Sequence, residues 1–189
     1  GVGGGTLPLF FSSVLGDDAQ IDAVEIDAAV VDAATSYLGL DRSRVNIHTA
    51  DALRWIAERI TRDISPSERY DAVFVDIFDA ENETPDAFRN EPFLRDLCRL
   101  LAPEGVVLLN LHTGGALLDE QCASAKIAFR TVFPAGCCAV PVRYQGNTIL
   151  AGTTRPYGFD AKEALAKSAR ANAVEVDIST FDPAPRLDR

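Results

Sequence analysis

The chain has few of the basic residues that bind nucleic acids and few of the cysteines and histidines that bind metals. Its 189 residues include 18 Lys and Arg against 28 Asp and Glu, which gives a formal net charge of -10. Such a surface repels phosphate backbones, and no basic stripe offsets it. The four cysteines contain no Cys-x-x-Cys pair and there are only two histidines, so metal-ligand spacing is absent. We therefore expect no nucleic acid partner and no metal.

The chain also lacks an apolar run of about 20 residues, the length that crosses a bilayer. Its composition, 47% hydrophobic and 24% charged, is typical of a soluble globular protein. The cysteines stand in apolar segments, where reduced thiols are the usual state. We expect a cytoplasmic protein without membrane contact, and the oligomeric state, including a homodimer, stays open. The chain contains no methionine, and its first residue is Gly1.

Strand-like and helix-like segments alternate along the chain. Strands are predicted at 21–27, 45–48, 70–76 and 105–111, with helices at 6–15, 28–38, 52–62, 92–101 and 116–131. Two more strands, 138–144 and 148–154, are joined by a hairpin signal, Gln145-Gly146-Asn147. This order predicts a doubly wound, Rossmann-like α/β domain over residues 1–155, with a mostly parallel sheet and an antiparallel C-terminal hairpin. A tail over 156–189 is expected to contain one helix, at about 160–171.

A glycine-rich turn opens the chain. Gly1, Gly3 and Gly5 precede the first predicted helix, and glycines there permit positive φ angles and a close ligand approach. About 20 residues later Glu25 ends a strand, where an acid can bind both ribose hydroxyls of a nucleotide. A ligand-free turn and a buried structural carboxylate are the alternatives. Because such a turn needs a strand feeding into it, we expect the central strand of the sheet upstream of Gly1.

Further acids follow the next two predicted strands, at the edge where ligands bind in this architecture. Asp51 could accept a hydrogen bond from an adenine amino group, or cap the helix at 52–62, and the two roles are compatible. Asp76 and Asp79 could serve as a general base and as a holder of a cationic amine. Alternatively, Asp76 caps its strand and Asp79 belongs to a solvated acidic loop. His48 and His112 are expected to be structural, with His112 also a candidate for lining an acceptor pocket.

The motifs Gly1-Val2-Gly3-Gly4-Gly5, Ile21 to Asp27, Ala50-Asp51-Ala52 and Tyr70 to Asp76 resemble those of class I S-adenosylmethionine-dependent methyltransferases, and within them the spermidine synthase-like branch. The resemblance runs to about residue 154. It implies S-adenosylmethionine or its decarboxylated form as cofactor, and no metal. The implied cofactor-binding residues are Gly1, Gly3 and Gly5 for the methionine part, Glu25 for the ribose, Asp51 and Ala52 for the adenine, and in addition Ile26 and Asp76. Asp76 and Asp79 match the base and the second aspartate of the aminopropyltransferase D-x-x-D segment.

Two positions depart from the aminopropyltransferase pattern. Thr6 and Ala80 stand where those enzymes usually have aspartate and proline. Gly4-Gly5-Thr6-Leu7-Pro8 is more similar to protein methyltransferases of the same branch, which act on a translation elongation factor. The first hypothesis is therefore a methyltransferase acting on an amine or protein. The alternatives are an aminopropyltransferase acting on a polyamine, and a non-catalytic interaction module with a cofactor fold.

Overall fold

The computed structural model describes residues 1–16, 18–62, 64–134, 136–142 and 146–154. Within them lie five helices and six strands: α1 (Thr6–Val14), β1 (Asp22–Glu25), α2 (Ala28–Tyr37), β2 (Asn46–Thr49), α3 (Ala52–Ile60), β3 (Tyr70–Val75), α4 (Glu91–Leu100), β4 (Leu101–His112), α5 (Ala116–Val132), β5 (Cys137–Val142) and β6 (Asn147–Thr153). Two single-turn 3₁₀ helices cover Pro66–Glu68 and Asp86–Phe88. The helix predicted at 160–171 and the tail lie outside the described residues.

The predicted elements up to residue 154 are all present, and their ends differ in two informative ways. Asp27 does not continue β1, because its carboxylate accepts a hydrogen bond from the Ala29 N–H at 2.8 Å and begins α2. β4 starts at Leu101, directly after α4, rather than at Gly105. The parallel register shifts between Tyr70 and Ala72, so a β-irregularity accommodates the additional residues.

The chain divides after Arg62 into two compact units. In the first unit β1 and β2 pair in parallel, with Glu25 opposite Thr49. The Ala50 N–H donates to the Glu25 carbonyl oxygen at 2.8 Å, so the carboxyl ends of both strands stay together. α2 packs against both strands. The core of this unit consists of apolar side chains that are almost completely buried: Val2, Ala23, Ala34, Leu40 and Val45.

The second unit contains a mixed sheet with the strand order β3-β4-β6-β5. β3 and β4 are parallel, whereas β6 is antiparallel to both β4 and β5. α4 and α5 pack on each other, and both contact β4. Along β4 buried Leu109 and Leu111 alternate with half-buried Asn110 and His112, as the two-residue period of a strand requires. One face of β4 therefore carries polar side chains to its carboxyl end.

The parallel pairs, the antiparallel final strands and the intervening helices agree with the predicted α/β class. The strands form a two-stranded and a four-stranded sheet, where one continuous sheet was expected. Within the residues described, no helix is long and apolar enough to span a bilayer.

Candidate functional site

The glycine turn of the first unit has the left-handed backbone that its composition predicts. Gly3 and Gly5 have φ angles of 52° and 78°, and the Gly5 N–H closes the turn on the Val2 carbonyl oxygen at 2.9 Å. A Cβ at Gly5 would lie 3.2 Å from the Leu40 Cβ, whereas one at Gly3 would meet nothing within 4 Å. Gly5 therefore packs against the core, and Gly3 leaves open space beside the backbone.

Glu25 ties the end of β1 to this turn. Its Oε2 accepts hydrogen bonds from the Val2 N–H at 2.8 Å and the Gly3 N–H at 3.4 Å, and its Oε1 accepts one from the Asp27 N–H at 3.1 Å. The residue is only 9% exposed. Burial by itself raises the pKa of the carboxyl, but the three N–H donors, together with the positive charge of the N-terminal amine, outweigh it and hold the pKa below its ordinary value of 4.5. Glu25 is thus an ionised carboxylate fixed by the main chain.

The hydrogen-bonding capacity of Glu25 fits a ribose. A carboxylate has about four acceptor positions, and three are occupied by N–H groups. The remaining position is on Oε1, which can accept one hydroxyl proton. A second hydroxyl can be accepted on Oε2 when the 3.4 Å contact with Gly3 is released. The next side chain, Ile26, is 68% exposed and offers apolar surface beside the carboxylate.

Asp51 stands at the carboxyl end of β2, one residue after the backbone bond that joins Ala50 to Glu25. Its side chain accepts a hydrogen bond from the Arg54 N–H at 2.9 Å and begins α3. This is the predicted capping role, and it uses one oxygen of the carboxylate. Asp51 and Ala52 are both half-buried. The first unit therefore brings these two residues to the strand edge that also carries Glu25 and Ile26.

His48 lies near the end of β2, opposite Val24, and its side chain takes part in a local polar pair. Its Nε2 is 2.8 Å from Asp22 Oδ1 at the start of β1, and its ring centroid lies 5.1 Å from that of Trp55. These contacts agree with a structural histidine.

In the second unit Asp76 follows β3 and is exposed. The Asn110 Nδ2 donates to Asp76 Oδ1 at 2.9 Å, and the Asn147 Nδ2 donates to Asn110 Oδ1 at the same distance. Three side chains from β3, β4 and β6 thus form one hydrogen-bonded row at the carboxyl end of β4.

Asp79 organises the loop after β3. Its Oδ1 accepts hydrogen bonds from the N–H groups of Glu81 and Glu83, at 3.1 and 2.9 Å. The backbone of Asp79 is bonded to Asn82 and Glu83 in addition. The loop is held further by the Glu83 carboxylate, which accepts from the Gln121 amide at 2.7 Å. The acidic loop is therefore built around Asp79, and one carboxylate oxygen of this residue is used in building it.

His112 fastens the same loop to β4. Its ring stacks on Phe78, with centroids 4.1 Å apart and planes at 19°. Its Nδ1 lies 3.0 Å from the Asn82 carbonyl oxygen, and because a carbonyl only accepts, Nδ1 carries the proton. Asn82 itself has a positive φ of 64°. His112 thus has a structural task in shaping the surface beside Asp76.

The cysteines lie in partly or fully buried positions. All four are free thiols, and burial raises the pKa of Cys98, Cys137 and Cys138, which keeps them protonated. Over the described ranges, no three His, Cys, Asp or Glu side chains are grouped so that they could hold a metal ion.

Sequence reasoning missed Asn110 and Asn147 as site residues. Asn110 was visible within the apolar run of β4, and Asn147 within the hairpin signal. Amides are disfavoured in strands, so two of them at neighbouring strand ends were a usable signal. Only the antiparallel register, which pairs His112 with Asn147 and so makes Asn110 its diagonal neighbour, shows that they meet.

The fold and the glycine turn with its carboxylate define a Rossmann-like class I methyltransferase fold, and a solved structure supports this class. Human methyltransferase-like protein 13 in complex with SAH aligns with a TM-score of 0.79 and 31% identity, over 92% of this chain and 78% of that one. The family model for the spermine/spermidine synthase domain matches residues 2–153. The chain belongs to that family.

Curated relatives fall into two groups. The human eEF1A lysine and N-terminal methyltransferase is 37% identical over 70% of this chain and 20% of its own length. The polyamine aminopropyltransferase of Vibrio vulnificus is 26% identical over 94% of this chain and 58% of its own length. The chain therefore spans about a fifth of the human relative and just over half of the bacterial one. The predicted resemblance to the spermidine synthase-like branch is confirmed.

Proposed function

We propose that the protein is an S-adenosylmethionine-dependent methyltransferase that acts on an amine, either of a protein or of a small molecule. The observation that carries this proposal is the ionised, backbone-held Glu25 beside the open side of the glycine turn. That pairing of a carboxylate with a left-handed turn suits the ribose and the adjoining part of an adenosyl group.

Different residues of the chain are proposed to bind the ribose, the adenine and the methionine part of the cofactor. Glu25 accepts from the ribose, and the exposed Ile26 provides apolar contact. Asp51 has a second carboxylate oxygen beyond the one that caps α3, and with Ala52 it is proposed to receive the adenine. Gly1 and Gly3 are proposed to leave the backbone of the turn accessible to the methionine part, and Gly5 is proposed to support this site by giving the turn its left-handed conformation against Leu40. When bound, S-adenosylmethionine supplies a methyl group on a positively charged sulfur.

Asp76 is proposed to act on the acceptor and also to contribute to cofactor binding. An amine attacks the methyl carbon with its lone pair while the carbon–sulfur bond breaks, so one proton must leave the nitrogen. Alkyl amines of the lysine type have a pKa of about 10.4 and arrive protonated. An exposed carboxylate with one oxygen fixed by Asn110 can bind the ammonium ion and accept its proton.

Asp79 is proposed to assist by shaping the loop and by adding negative charge that attracts a cationic acceptor. Its Oδ1 is occupied by two backbone donors, so only Oδ2 is available for an amine. Thr6 and Ala80, which stand where aminopropyltransferases usually have aspartate and proline, favour methyl transfer over aminopropyl transfer.

Aminopropyl transfer from decarboxylated S-adenosylmethionine to a polyamine is the second candidate. It is favoured by the presence of both Asp76 and Asp79 with the D-x-x-D spacing. The bacterial aminopropyltransferase, which aligns over 94% of this chain, supports it as well. The two candidates differ in the cofactor's carboxylate, which only S-adenosylmethionine carries.

Calorimetry and transfer assays on the full chain distinguish these candidates. We expect binding of S-adenosylmethionine, and transfer of labelled methyl to eEF1A, the acceptor named for the human relative, or to a small amine. Binding of only the decarboxylated form, with transfer to putrescine, would replace methyl transfer by aminopropyl transfer. Binding of neither form would leave the non-catalytic interaction module as the function.

We also propose that the protein works in the cytoplasm. Its four cysteines are free thiols, which suits a reducing compartment. Fractionation of cells that express the protein tests this, and recovery in an oxidising compartment would contradict it.

A further inference from the structure

The hydrogen-bonded row of Asp76, Asn110 and Asn147 has only one chemically consistent direction. An ionised carboxylate can only accept hydrogen bonds, so Asn110 must turn its NH₂ group toward Asp76. Its carbonyl oxygen then points the other way and needs a donor, which is the NH₂ group of Asn147 at 2.9 Å. By donating to that carbonyl oxygen, Asn147 stabilises the orientation of the Asn110 amide in which the NH₂ group faces the carboxylate.

The backbone places the three side chains without strain. Val75 is the register partner of Leu109, so Asp76 and Asn110 are the next pair along β3 and β4. Asn147 begins β6 as the register partner of His112, two residues beyond Asn110, which is within reach of a diagonal contact. Both amides are half-buried, while Asp76 is exposed.

The row fixes one oxygen of Asp76 and leaves the other available. Oδ1 accepts from Asn110, and no hydrogen bond from the described part of the chain reaches Oδ2. An exposed aspartate without such a partner would sample several rotamers and lose that freedom when it binds an amine. The Asn110 contact restricts the carboxylate before the acceptor arrives.

Building on the proposed role of Asp76, we propose that Asn110 and Asn147 are positioning residues that hold its carboxylate so that Oδ2 faces the acceptor amine. Asn110 acts directly on Asp76, and Asn147 acts by fixing the orientation of the Asn110 amide. Neither touches the reacting atoms. The row therefore adds two residues, on β4 and β6, to the acceptor side of the reaction.

The test removes the donor at the end of the row. In Asn147→Asp the Asn110 amide has a carboxylate on each side, so its NH₂ group can face only one of them and its carbonyl oxygen must face the other. The bond that holds Asp76 is therefore weakened. We expect kcat to fall about tenfold to a hundredfold, as for other small misplacements of a catalytic group, with the Kd for S-adenosylmethionine unchanged. Asn147→Ala removes the donor without adding charge and should lower kcat less. A larger loss in Asn147→Ala than in Asn147→Asp would contradict the proposal.

Asn46→Asp is the control for charge, because Asn46 also begins a strand and gains the same charge, at an exposed position, whereas Asn147 is half-buried. We expect it to retain wild-type kcat. A loss equal to that of Asn147→Asp would assign the effect to charge alone and overturn the proposal.

A double-mutant cycle distinguishes a positioning role of Asn147 from a purely structural role as a hydrogen-bonded link between strands. Once Asp76→Asn has removed the base, Asn147→Ala should cause no further loss of kcat. Equal losses in both backgrounds would mean that Asn147 acts independently of Asp76. In ¹H–¹⁵N spectra Asp76→Asn should shift the side-chain amide signals of both Asn110 and Asn147. An unmoved Asn147 signal would contradict the row.

The experiments give different results if the positioning role of Asn110 and Asn147 is wrong and if the proposed function is wrong. If the wild-type protein transfers neither group, the proposed function is wrong. If Asp76→Asn keeps full turnover, Asp76 is not the base and the row has no role in catalysis. If Asp76→Asn is inactive while both Asn147 variants keep wild-type kcat, the function stands and only the positioning role is lost.

Discussion

Two carboxylates at the carboxyl ends of parallel strands, Glu25 as the last residue of β1 and Asp76 as the first residue after β3, are held in opposite ways. Glu25 is 9% exposed and is fixed by three backbone N–H groups. Asp76 is exposed and is fixed by one side-chain amide. The main chain therefore holds the acid proposed for the cofactor, and side chains hold the acid proposed for the acceptor.

The two carboxylates therefore differ in how easily a substitution elsewhere can change their position. Backbone donors persist in every sequence that keeps the turn, so the position of Glu25 can be altered only by replacing Glu25 or the turn itself. Side-chain donors change with single substitutions, so Asp76 can be redirected from β4 or β6. An acceptor site built in this way can be altered without disturbing the proposed cofactor site.

The largest expected effect is in Glu25→Ala. Loss of about two hydrogen bonds to a charged group should weaken S-adenosylmethionine binding about a thousandfold, which abolishes measurable binding by calorimetry. The buried Val2 N–H also loses its acceptor, so the melting temperature should fall. Glu58→Ala, at an exposed position on α3, is the control and should bind normally. Wild-type affinity in Glu25→Ala would refute the ribose assignment.

Asp76→Asn should leave cofactor affinity within a fewfold and lower kcat about a hundredfold, the lower range for loss of a general base. Asp71→Asn, in the strand that precedes Asp76 and also exposed, removes an equal charge and should retain activity. If Asp76→Asn lost S-adenosylmethionine binding as severely as Glu25→Ala does, the assignment of different roles to the two carboxylates would be wrong. Steady-state kinetics together with calorimetry gives both quantities.

The pH dependence of stability should distinguish the backbone-held acid. Because the pKa of Glu25 is lower folded than its ordinary 4.5, its carboxylate stabilises the fold above pH 4.5, and this contribution is lost as pH falls through the lowered pKa. Glu25→Gln should be less stable than wild type at pH 7, by about 2 kcal/mol. Denaturant titrations should show the gap closing below pH 4.5. If the stability difference between wild type and Glu25→Gln instead grew in acid, the pKa of Glu25 would be raised by folding and not lowered.

Asp51 should give the smallest effect. Asp51→Ala removes the acceptor for the Arg54 N–H and should cost about 1 kcal/mol of unfolding free energy. Asp51→Asn retains a capping oxygen and should recover most of it, as thermal unfolding will report. If both variants are as stable as wild type, the capping bond contributes nothing to stability.

The order of elements and the glycine turn with its carboxylate in the first unit follow from local sequence features. Alternating apolar segments identify the strands, and glycines before a helix identify a left-handed turn, because few other residues adopt positive φ. Glu25 was predictable because an acid at the end of a buried strand requires partners. The cofactor-binding and catalytic assignments of these residues stay proposals.

The acceptor side was harder to predict because it depends on register. The sequence marks Asp79 as an acid in an acidic loop, but not that its Oδ1 binds the Glu81 and Glu83 N–H groups. Nor does it show the bulge near Tyr70 that lets β4 begin at Leu101. Such contacts arise from pairing between distant strands, which local periodicity does not encode.

The three backbone bonds to Glu25 have a consequence for the kinetics of binding. A carboxylate already held by the main chain in the free protein needs little rearrangement when a ribose arrives, only release of the 3.4 Å contact with the Gly3 N–H, so rearrangement of Glu25 should slow the encounter with the cofactor little. Substitutions at position 25 should then act mainly on how long a bound nucleotide stays, through the dissociation rate, and only slightly on how fast it arrives.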